Sequence, residues 1–275
     1  PERYENLPVV LPEDVEFMPT GESPLKSHAA FLNASCPSCG GSAQRETDTM
    51  DTFMDSSWYW FRYLSPDLED APIDQELARK WTPVDTYTGG SEHAILHLLY
   101  SRFFTRVIRD LGFIEHSEPF TRLRNQGMIL GEDNEKMSKS RGNVVDPDQL
   151  VADYGADTVR AYLMFLGPWD QGSPWNSRGI EGISRFLNRV WNLFHGEPGG
   201  EVTDLEAERR ELRRATHHAI FEVTQDLEAF HFNTAIAELM TLQSAISRSR
   251  TPQMMEQPEW QDAVSALLVM LAPIA

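Results

Sequence analysis

Cysteine, lysine and long apolar runs are all scarce in this sequence of 275 residues. Its two cysteines are too few for a disulfide framework, so a reducing compartment, the cytoplasm, is the default expectation. No apolar run approaches the roughly 20 residues that a membrane helix needs, and no membrane partner is predicted. The chain also does not begin with the charged and then apolar segment of a secretory signal.

Positive charge is in deficit as well, because 24 lysines and arginines face 42 aspartates and glutamates, for a net charge of −18. Taken alone, this balance argues against a nucleic-acid partner, which normally meets a basic surface. Whole-chain charge does not describe a local patch, however, and two of the few lysines, Lys136 and Lys139, lie three residues apart. Such a cluster indicates either a solvated surface or a local anion site.

The hydrophobic pattern divides the chain into an α/β part and an all-helical part. Residues 47–53 alternate as an extended run, residues 65–82 form a polar loop, and residues 84–88 and 125–130 are typical of β-strands. Apolar residues recur at helical spacing from Ile95 to Leu111, with Ser91 as the predicted N-cap. Further helices are predicted over 148–154, 156–166, 180–194, 204–229 and 232–249, and from 258 onward. We therefore expect an α/β domain followed by an all-α helical bundle.

The sharpest chemical signal is Lys136-Met137-Ser138-Lys139-Ser140, which lies in a polar loop between a predicted strand and a predicted helix. In-line attack on the α-phosphorus of a nucleoside triphosphate builds negative charge on the phosphate oxygens. Two ammonium groups that reach this charge chiefly in the transition state lower the barrier selectively. A mobile loop would let them engage after the nucleotide enters. A bare Lys-x-x-Lys would indicate an ordinary surface loop, but the full pentapeptide and residues 141–147 favour a phosphate site.

This loop resembles the signature loop of the class I aminoacyl-tRNA synthetases. The segments that resemble the leucine-specific members of that family are Thr49 to Tyr59, Gly89 to Tyr100, Tyr154 to Arg160 and Phe186 to Trp191. The resemblance implies the C-terminal half of a Rossmann-like catalytic domain over residues 46–170. It also implies the truncated start of a helical, anticodon-binding-type domain over 171–275. The prolines and the cysteine pair themselves indicate a connector with a cysteine knuckle over 1–45.

The resemblance also implies roles for individual side chains. The leucine pocket would be formed by Phe53, Ser56, Tyr59, Tyr87 and His93. Aromatic walls and a small serine suit a branched aliphatic side chain, although the residues alone would favour an ordinary core. ATP would be bound by Gly90, Glu92, Met128, Ile129, Lys136, Ser138 and Lys139, with Lys136 and Lys139 as the catalytic groups. Without the resemblance, Glu92 would be interpreted as an acid that complements a helix dipole.

The function that the resemblance implies is that of a leucine–tRNA ligase. It would activate leucine with ATP and Mg²⁺ and transfer the leucyl group to the 2′-hydroxyl of the terminal adenosine of tRNA(Leu). Two alternatives stay open: a class I synthetase for isoleucine, valine or methionine, and a non-catalytic relative that binds nucleotides or RNA. The family also needs a His-Ile-Gly-His-type motif, and no His-x-Gly-His occurs in these residues. We therefore expect an excised fragment that is inactive by itself.

The cysteine pair leaves a zinc site open without supporting one. A structural zinc ion needs four ligands, whereas Cys36 and Cys39 are the only cysteines and His28 is the nearest other candidate. The alternative is a glycine-rich reverse turn that is the remnant of a zinc knuckle and binds no metal. No metal-binding residue is predicted.

Overall fold

The computed structural model describes residues 1–17 and 21–275, which divide into two units. Unit 1 consists of residues 1–81 and 95–118, and unit 2 of residues 82–94 and 119–275. Residues 18–20 of the predicted connector lie outside the described residues. The predicted division at residues 45 and 170 stays a prediction.

Unit 1 combines one small hairpin with short helices and one long helix. Its elements are α1 (Ala29–Leu32), β1 (Asn33–Ser35), β2 (Ser42–Gln44), α2 (Phe53–Ser56), α3 (Tyr59–Arg62), α4 (Gln75–Trp81) and α5 (His97–Asp110). Two 3₁₀ turns, Tyr4–Asn6 and Pro24–Lys26, precede them. Strands β1 and β2 pair antiparallel, with Ala34 opposite Ala43. The hairpin encloses both cysteines.

Helix α5 buries one face that carries two hydroxyl groups. Its buried residues, Leu98, Ser101, Thr105 and Ile108, recur at intervals of three and four, the spacing of a single helical face. The Ser101 hydroxyl donates to the carbonyl of His97 at 2.7 Å, and the Thr105 hydroxyl donates to the carbonyl of Ser101 at 2.8 Å. Both buried hydroxyls are therefore satisfied within the helix.

Unit 2 begins as an α/β structure with two pairs of parallel strands. Its first elements are β3 (Tyr87–Gly90), β4 (Leu123–Gln126), β5 (Met128–Leu130), α6 (Pro147–Tyr154), α7 (Ala156–Phe165) and β6 (Gly172–Pro174). Strand β3 pairs with β4, and β5 pairs with β6. Helices α6 and α7 carry the chain from β5 to its parallel neighbour, which is the βαβ connection expected of an α/β domain.

The rest of unit 2 is helical, as predicted. It consists of α8 (Ile180–His195), α9 (Leu205–Ala229), α10 (Phe232–Arg248), α11 (Pro252–Met255) and α12 (Pro258–Leu271). One apolar core joins these helices to α7 and includes Ile183, Leu212, Leu239 and Leu267. In the described part of the chain, no helix is long and apolar enough to cross a membrane.

The structure departs from the prediction at two places in unit 1, each of which has a short helix that follows an aspartate. Residues 47–52 form no strand, and α2 begins at Phe53, whose N–H donates to the Asp51 carboxylate at 2.8 Å. The predicted polar loop 65–82 contains α4. Its first turn donates N–H groups to the Asp74 carboxylate, from Glu76 at 2.9 Å and from Leu77 at 3.0 Å. Asp74 directly precedes α4, and aspartate at an N-cap favours a helix start that hydrophobic spacing does not reveal.

Three boundaries in the strand regions also differ from the prediction. Ser91 does not cap the long helix, because residues 91–95 form a 3₁₀ helix and α5 begins only after Leu96. The strand predicted over 84–88 lies at Tyr87–Gly90. The strand predicted over 125–130 is divided between β4 and β5 at Gly127, whose N–H donates instead to the carbonyl of Trp169 at 2.7 Å.

Candidate functional site

The lysine loop, residues 131–146, leaves the end of β5 through a tight hairpin. The Gly131 N–H donates to the carbonyl of Glu135 at 2.8 Å, and Leu130 forms an antiparallel bridge with Lys136. Asn134 turns the chain with a φ of 61°, in the left-handed region that asparagine adopts more readily than most residues. The hairpin therefore places Lys136 beside the last residue of β5.

Lys139 lies in a second turn of the lysine loop. The Gly142 N–H donates to the carbonyl of Ser138 at 3.1 Å, and Gly142 has a φ of 69°. The hydroxyls of Ser138 and Ser140 are hydrogen-bonded at 2.7 Å. Lys136 and Lys139 are both exposed, and neither ammonium forms an ion pair with any residue that the structure describes. Both ammonium groups are therefore accessible to a bound anion.

Three acidic residues at the root of the lysine loop are engaged by other groups. The Ser177 N–H donates to the Glu132 carboxylate at 2.9 Å, and Arg141 pairs with Glu135 at 3.0 Å. Hydrogen bonds from the hydroxyl and N–H of Ser177 lower the pKa of Glu132. The N–H of Glu135 has the largest part in lowering the pKa of Asp133. All three carboxylates are thus engaged by groups other than the two lysines.

Strand β5, which carries Met128 and Ile129, is fixed by a close approach of two backbones. A Cβ added at Gly127 would lie 1.9 Å from the Gly172 nitrogen, so only glycine fits there. Met128 pairs with Gly172, and Ile129 with Ser173. Ile129 packs against the helical core, whereas Met128 is exposed. Their proposed part in binding adenine stays a prediction.

Gly90 and Glu92 are brought together at the carboxyl end of β3. A Cβ at Gly90 would lie 2.3 Å from Glu92 Oε2, so the carboxylate is folded over the glycine. The Asn125 amide of β4 donates to the carbonyl of Gly89 at 3.0 Å and fixes this end of the strand. Glu92 itself is exposed. This arrangement presents a carboxylate above bare backbone, a surface that can accept two hydroxyl groups of a sugar.

The proposed leucine-binding residues of unit 1 lie on two short consecutive helices. The Phe53 ring stacks with Tyr100 of α5 at a centroid distance of 5.9 Å. The Ser56 hydroxyl donates to the carbonyl of Phe53 at 3.3 Å. Tyr59 meets Tyr63 edge to face at 5.1 Å. Phe53, Ser56 and Tyr59 are all half-buried, so each keeps part of its surface accessible.

The proposed leucine-binding residues of unit 2 are Tyr87 and His93. The Tyr87 ring stacks on Phe120 at a centroid distance of 3.8 Å, with the two planes 5° apart. His93 is half-buried within the 3₁₀ helix that follows β3. A single pocket that draws residues from both units stays a prediction.

Among the described residues, the cysteine knuckle has no third metal ligand close by. Cys36 is half-buried and Cys39 is exposed, and the N–H of Cys39 has the largest part in lowering the pKa of the Cys36 thiol. His28 uses both ring nitrogens elsewhere: Nδ1 accepts from the N–H of Phe31, and Nε2 lies 3.0 Å from Asp14 Oδ1. Within residues 1–17 and 21–275, no group of three or more His, Cys, Asp and Glu residues is placed to hold a metal ion.

Sequence reasoning missed two residues of the lysine loop, Asp133 and Asn143. The Asn143 amide reaches Asp133 Oδ2 at 3.0 Å and accepts from the Ser138 N–H at 2.8 Å. The signal that could have found them is chemical: asparagine and aspartate in a glycine-containing loop commonly bind nearby backbone groups.

Comparisons with known proteins agree with this geometry. The sequence profile of the tRNA synthetases class I (I, L, M and V) matches residues 20–172. The leucine–tRNA ligase of Dehalococcoides mccartyi is 54% identical over 270 residues, and that of Deinococcus radiodurans is 55% identical over 272 residues. Each comparison covers 98% of this chain but 33% of the relative. The chain thus spans about a third of the length of the curated relatives that it matches.

Solved structures match over nearly the same extent. The agnB2 LeuRS of Agrobacterium radiobacter K84, crystallised as a ternary complex with tRNA and LeuAMS, has a TM-score of 0.83 and 42% identity. That match covers 98% of this chain and 36% of the other. The methionyl-tRNA synthetase of Mycobacterium tuberculosis, bound by methionyl-adenylate, has a TM-score of 0.56 at 17% identity over 87% of this chain and 49% of its own. The latter likeness shows the fold alone.

Proposed function

The chain belongs to the class I tRNA synthetases (I, L, M and V), and from this premise we propose that it forms part of a leucine–tRNA ligase. The single observation that carries the proposal is the identity of 54–55% with relatives of that name along 98% of this chain. The substrates would be leucine, ATP with its Mg²⁺ ion, and tRNA(Leu). Because both cysteines are free thiols, we assign the reaction to the reducing cytoplasm.

In the proposed first step, the leucine carboxylate attacks the α-phosphorus of ATP, and leucyl-adenylate and pyrophosphate are formed. Glu92 would accept the ribose hydroxyls above Gly90, and the backbone of β5 at Met128 and Ile129 would contact adenine. Lys136 and Lys139, with the Ser138 hydroxyl, would stabilise the charge that develops on the phosphates. Phe53, Ser56, Tyr59, Tyr87 and His93 would enclose the leucine side chain.

In the proposed second step, the 2′-hydroxyl of the terminal adenosine of tRNA(Leu) attacks the leucyl carbonyl, and AMP leaves. The residues of this chain would hold the adenylate in place. We assign the helical part, from α8 onward, to tRNA binding. The role of that part rests on the resemblance to the family, because the chain as a whole is acidic, with a net charge of −18.

The experiment that tests this proposal is leucine-dependent exchange between ATP and pyrophosphate, in an enzyme that carries this chain within the length of its relatives. Lys139→Ala should lower the exchange rate about 10²- to 10³-fold, as expected for loss of one donor to transition-state charge. Lys80→Ala on α4 is the matched control and should leave the rate unchanged. Exchange that is stimulated by isoleucine, valine or methionine rather than leucine would overturn the proposal.

The 275-residue chain alone is expected to show no leucine-dependent exchange. It spans 33% of the length of its relatives and contains no His-x-Gly-His. Positioning of both reactants contributes about 7–11 kcal/mol in favourable cases, which a partial site would not supply. Exchange by the isolated chain above that of a Lys136→Ala, Lys139→Ala double variant would contradict this expectation.

A further inference from the structure

The two lysines of the lysine loop are held by different turns. Lys136 ends the hairpin that starts at Gly131, whereas Lys139 lies in the turn from Ser138 to Gly142. A triphosphate requires both ammonium groups at a defined separation. The separation therefore depends on whatever joins the hairpin to the turn.

One side chain, Asn143, joins the two turns. Its Oδ1 accepts from the Ser138 N–H at 2.8 Å, which fixes the start of the second turn. Its Nδ2 donates to Asp133 at 3.0 Å and 3.2 Å and lies 3.4 Å from the carbonyl of Lys136, which belongs to the hairpin. The amide oxygen of Asn143 thus contacts the turn that carries Lys139, and its amide nitrogen contacts the hairpin that carries Lys136.

Asp133 anchors this amide to the root of the lysine loop. Its Oδ1 also accepts from the Glu135 N–H at 3.0 Å, so the backbone of the hairpin holds the carboxylate independently of Asn143. A Cβ at Gly131 would lie 2.6 Å from Asp133 Oδ1 and 3.0 Å from Asn143 Nδ2. The contact therefore occupies the space above a glycine, and a larger residue at position 131 would displace it.

We propose that Asn143 is a positioning residue, anchored by Asp133, that sets the separation of Lys136 and Lys139 for the triphosphate. This inference rests on the proposed function. Charges that are already in place need no reorganisation in the transition state. A misplacement of about 1 Å can cost roughly 10²-fold in rate. Loss of the contact should therefore lower kcat for leucine activation and leave the KM for leucine unchanged.

The test is an exchange of the two side chains. Asn143→Asp places a second carboxylate about 3 Å from Asp133, where two like charges repel, and should lower kcat by roughly ten- to a hundredfold. Asp133→Asn alone keeps one acceptor oxygen and should be mild. In the double variant the new amide at 133 can donate to the new carboxylate at 143, which still accepts from the Ser138 N–H. The double variant should therefore recover most of the rate that Asn143→Asp loses.

A second readout follows the backbone directly. Hydrogen exchange of the Ser138 amide, measured in the same proteins, should become faster in Asn143→Asp and slow again in the double variant. Asn33→Ala is the matched control, because that exposed amide donates to the carbonyl of Ala29 at 3.0 Å, outside the lysine loop. It should change neither the rate nor the exchange at Ser138.

The outcomes separate the two claims. An active parent enzyme whose rate is unaffected by Asn143→Asp, or a double variant no faster than Asn143→Asp, would overturn the positioning role alone. A parent enzyme with no leucine-dependent activity would overturn the proposed function, and the hydrogen exchange at Ser138 would then report only a structural contact.

Discussion

Phe230 is held in a conformation that bulky residues rarely adopt. It follows the last residue of α9 with φ 67° and ψ 30°, and its N–H donates to the carbonyl of Leu227 at 3.3 Å. A left-handed conformation costs a residue with a Cβ about 1–2 kcal/mol. Glycine would form the same helix end without this cost. The ring must therefore contribute more than the backbone conformation costs.

The contacts of the ring supply that contribution. Its centroid lies 5.8 Å from Trp169 and 5.2 Å from Phe232, and the Arg124 guanidinium lies 5.2 Å from it. Aromatic pairs contribute about 0.5–1.5 kcal/mol each beyond burial, and a cation–π contact contributes about 0.5–1 kcal/mol at exposed sites. The ring contacts thus amount to roughly 1.5–4 kcal/mol, which equals or exceeds the backbone strain of about 1–2 kcal/mol.

Two substitutions at Phe230 should separate these effects. Phe230→Ala loses the ring and keeps the strained backbone, whereas Phe230→Gly loses the ring and releases the strain. Glycine relieves about 1–2 kcal/mol of backbone strain in the folded state. It also lowers the stability by about 0.4–1 kcal/mol, because the unfolded chain gains conformational entropy. Phe230→Gly should therefore be about 1 kcal/mol more stable than Phe230→Ala, although both are less stable than the parent.

The assay is urea unfolding followed by circular dichroism. Ala237→Gly on the exposed face of α10 is the control, because this residue has ordinary helical geometry and glycine there should cost about 1 kcal/mol. Glycine in place of alanine should thus have opposite effects at positions 230 and 237. A Phe230→Gly variant no more stable than Phe230→Ala would refute the strain argument.

Two further predictions concern stability. Leu239→Ala empties a fully buried position in the helical core and should lower the free energy of unfolding by about 2–5 kcal/mol, as measured by urea unfolding. Glu118 contacts Arg102 and Arg106 at 2.7 Å and 2.8 Å, and these contacts lower its pKa from 4.5 to about 2. Because the folded pKa is depressed, its stabilisation is complete above pH 4.5 and disappears as the pH falls through 2. The carboxylate is 45% exposed, so solvent screening limits the effect to about 1 kcal/mol or less. The difference in unfolding free energy between the parent and Glu118→Gln should shrink between these two pH values, and a difference that does not change with pH would contradict the assignment.

The sequence predicted the long helices well because their apolar spacing reports burial on one face. Helix α9 was predicted over 204–229 and is Leu205–Ala229, and its start is marked by Asp204, whose carboxylate accepts from the Ala207 N–H at 3.0 Å. Short elements were predicted poorly, since three or four residues carry no periodicity. Strand β6 was missed entirely: it is Gly172–Pro174, and neither glycine nor proline favours a strand.

The candidate site was predictable in its chemistry and not in its internal contacts. The pair Lys136 and Lys139 is visible in the sequence because two ammonium groups so close together are unusual in an acidic chain. The contact between Asn143 and Asp133 joins residues ten positions apart. It depends on the left-handed turn at Asn134, which composition alone does not specify. A phosphate site could thus be predicted from residue types, but the contacts that order its loop could not.

The acidic excess of the chain bears directly on how a triphosphate could bind it. With a net charge of −18, the chain as a whole repels anions. Three carboxylates, Glu132, Asp133 and Glu135, lie within seven residues of Lys139, yet each is occupied by a hydrogen bond or an arginine. If these acids paired with the lysines instead, the site would be neutral before ATP arrived. Their engagement elsewhere leaves Lys136 and Lys139 as a local positive patch, so the internal order of the lysine loop, rather than its total charge, would make it an anion site.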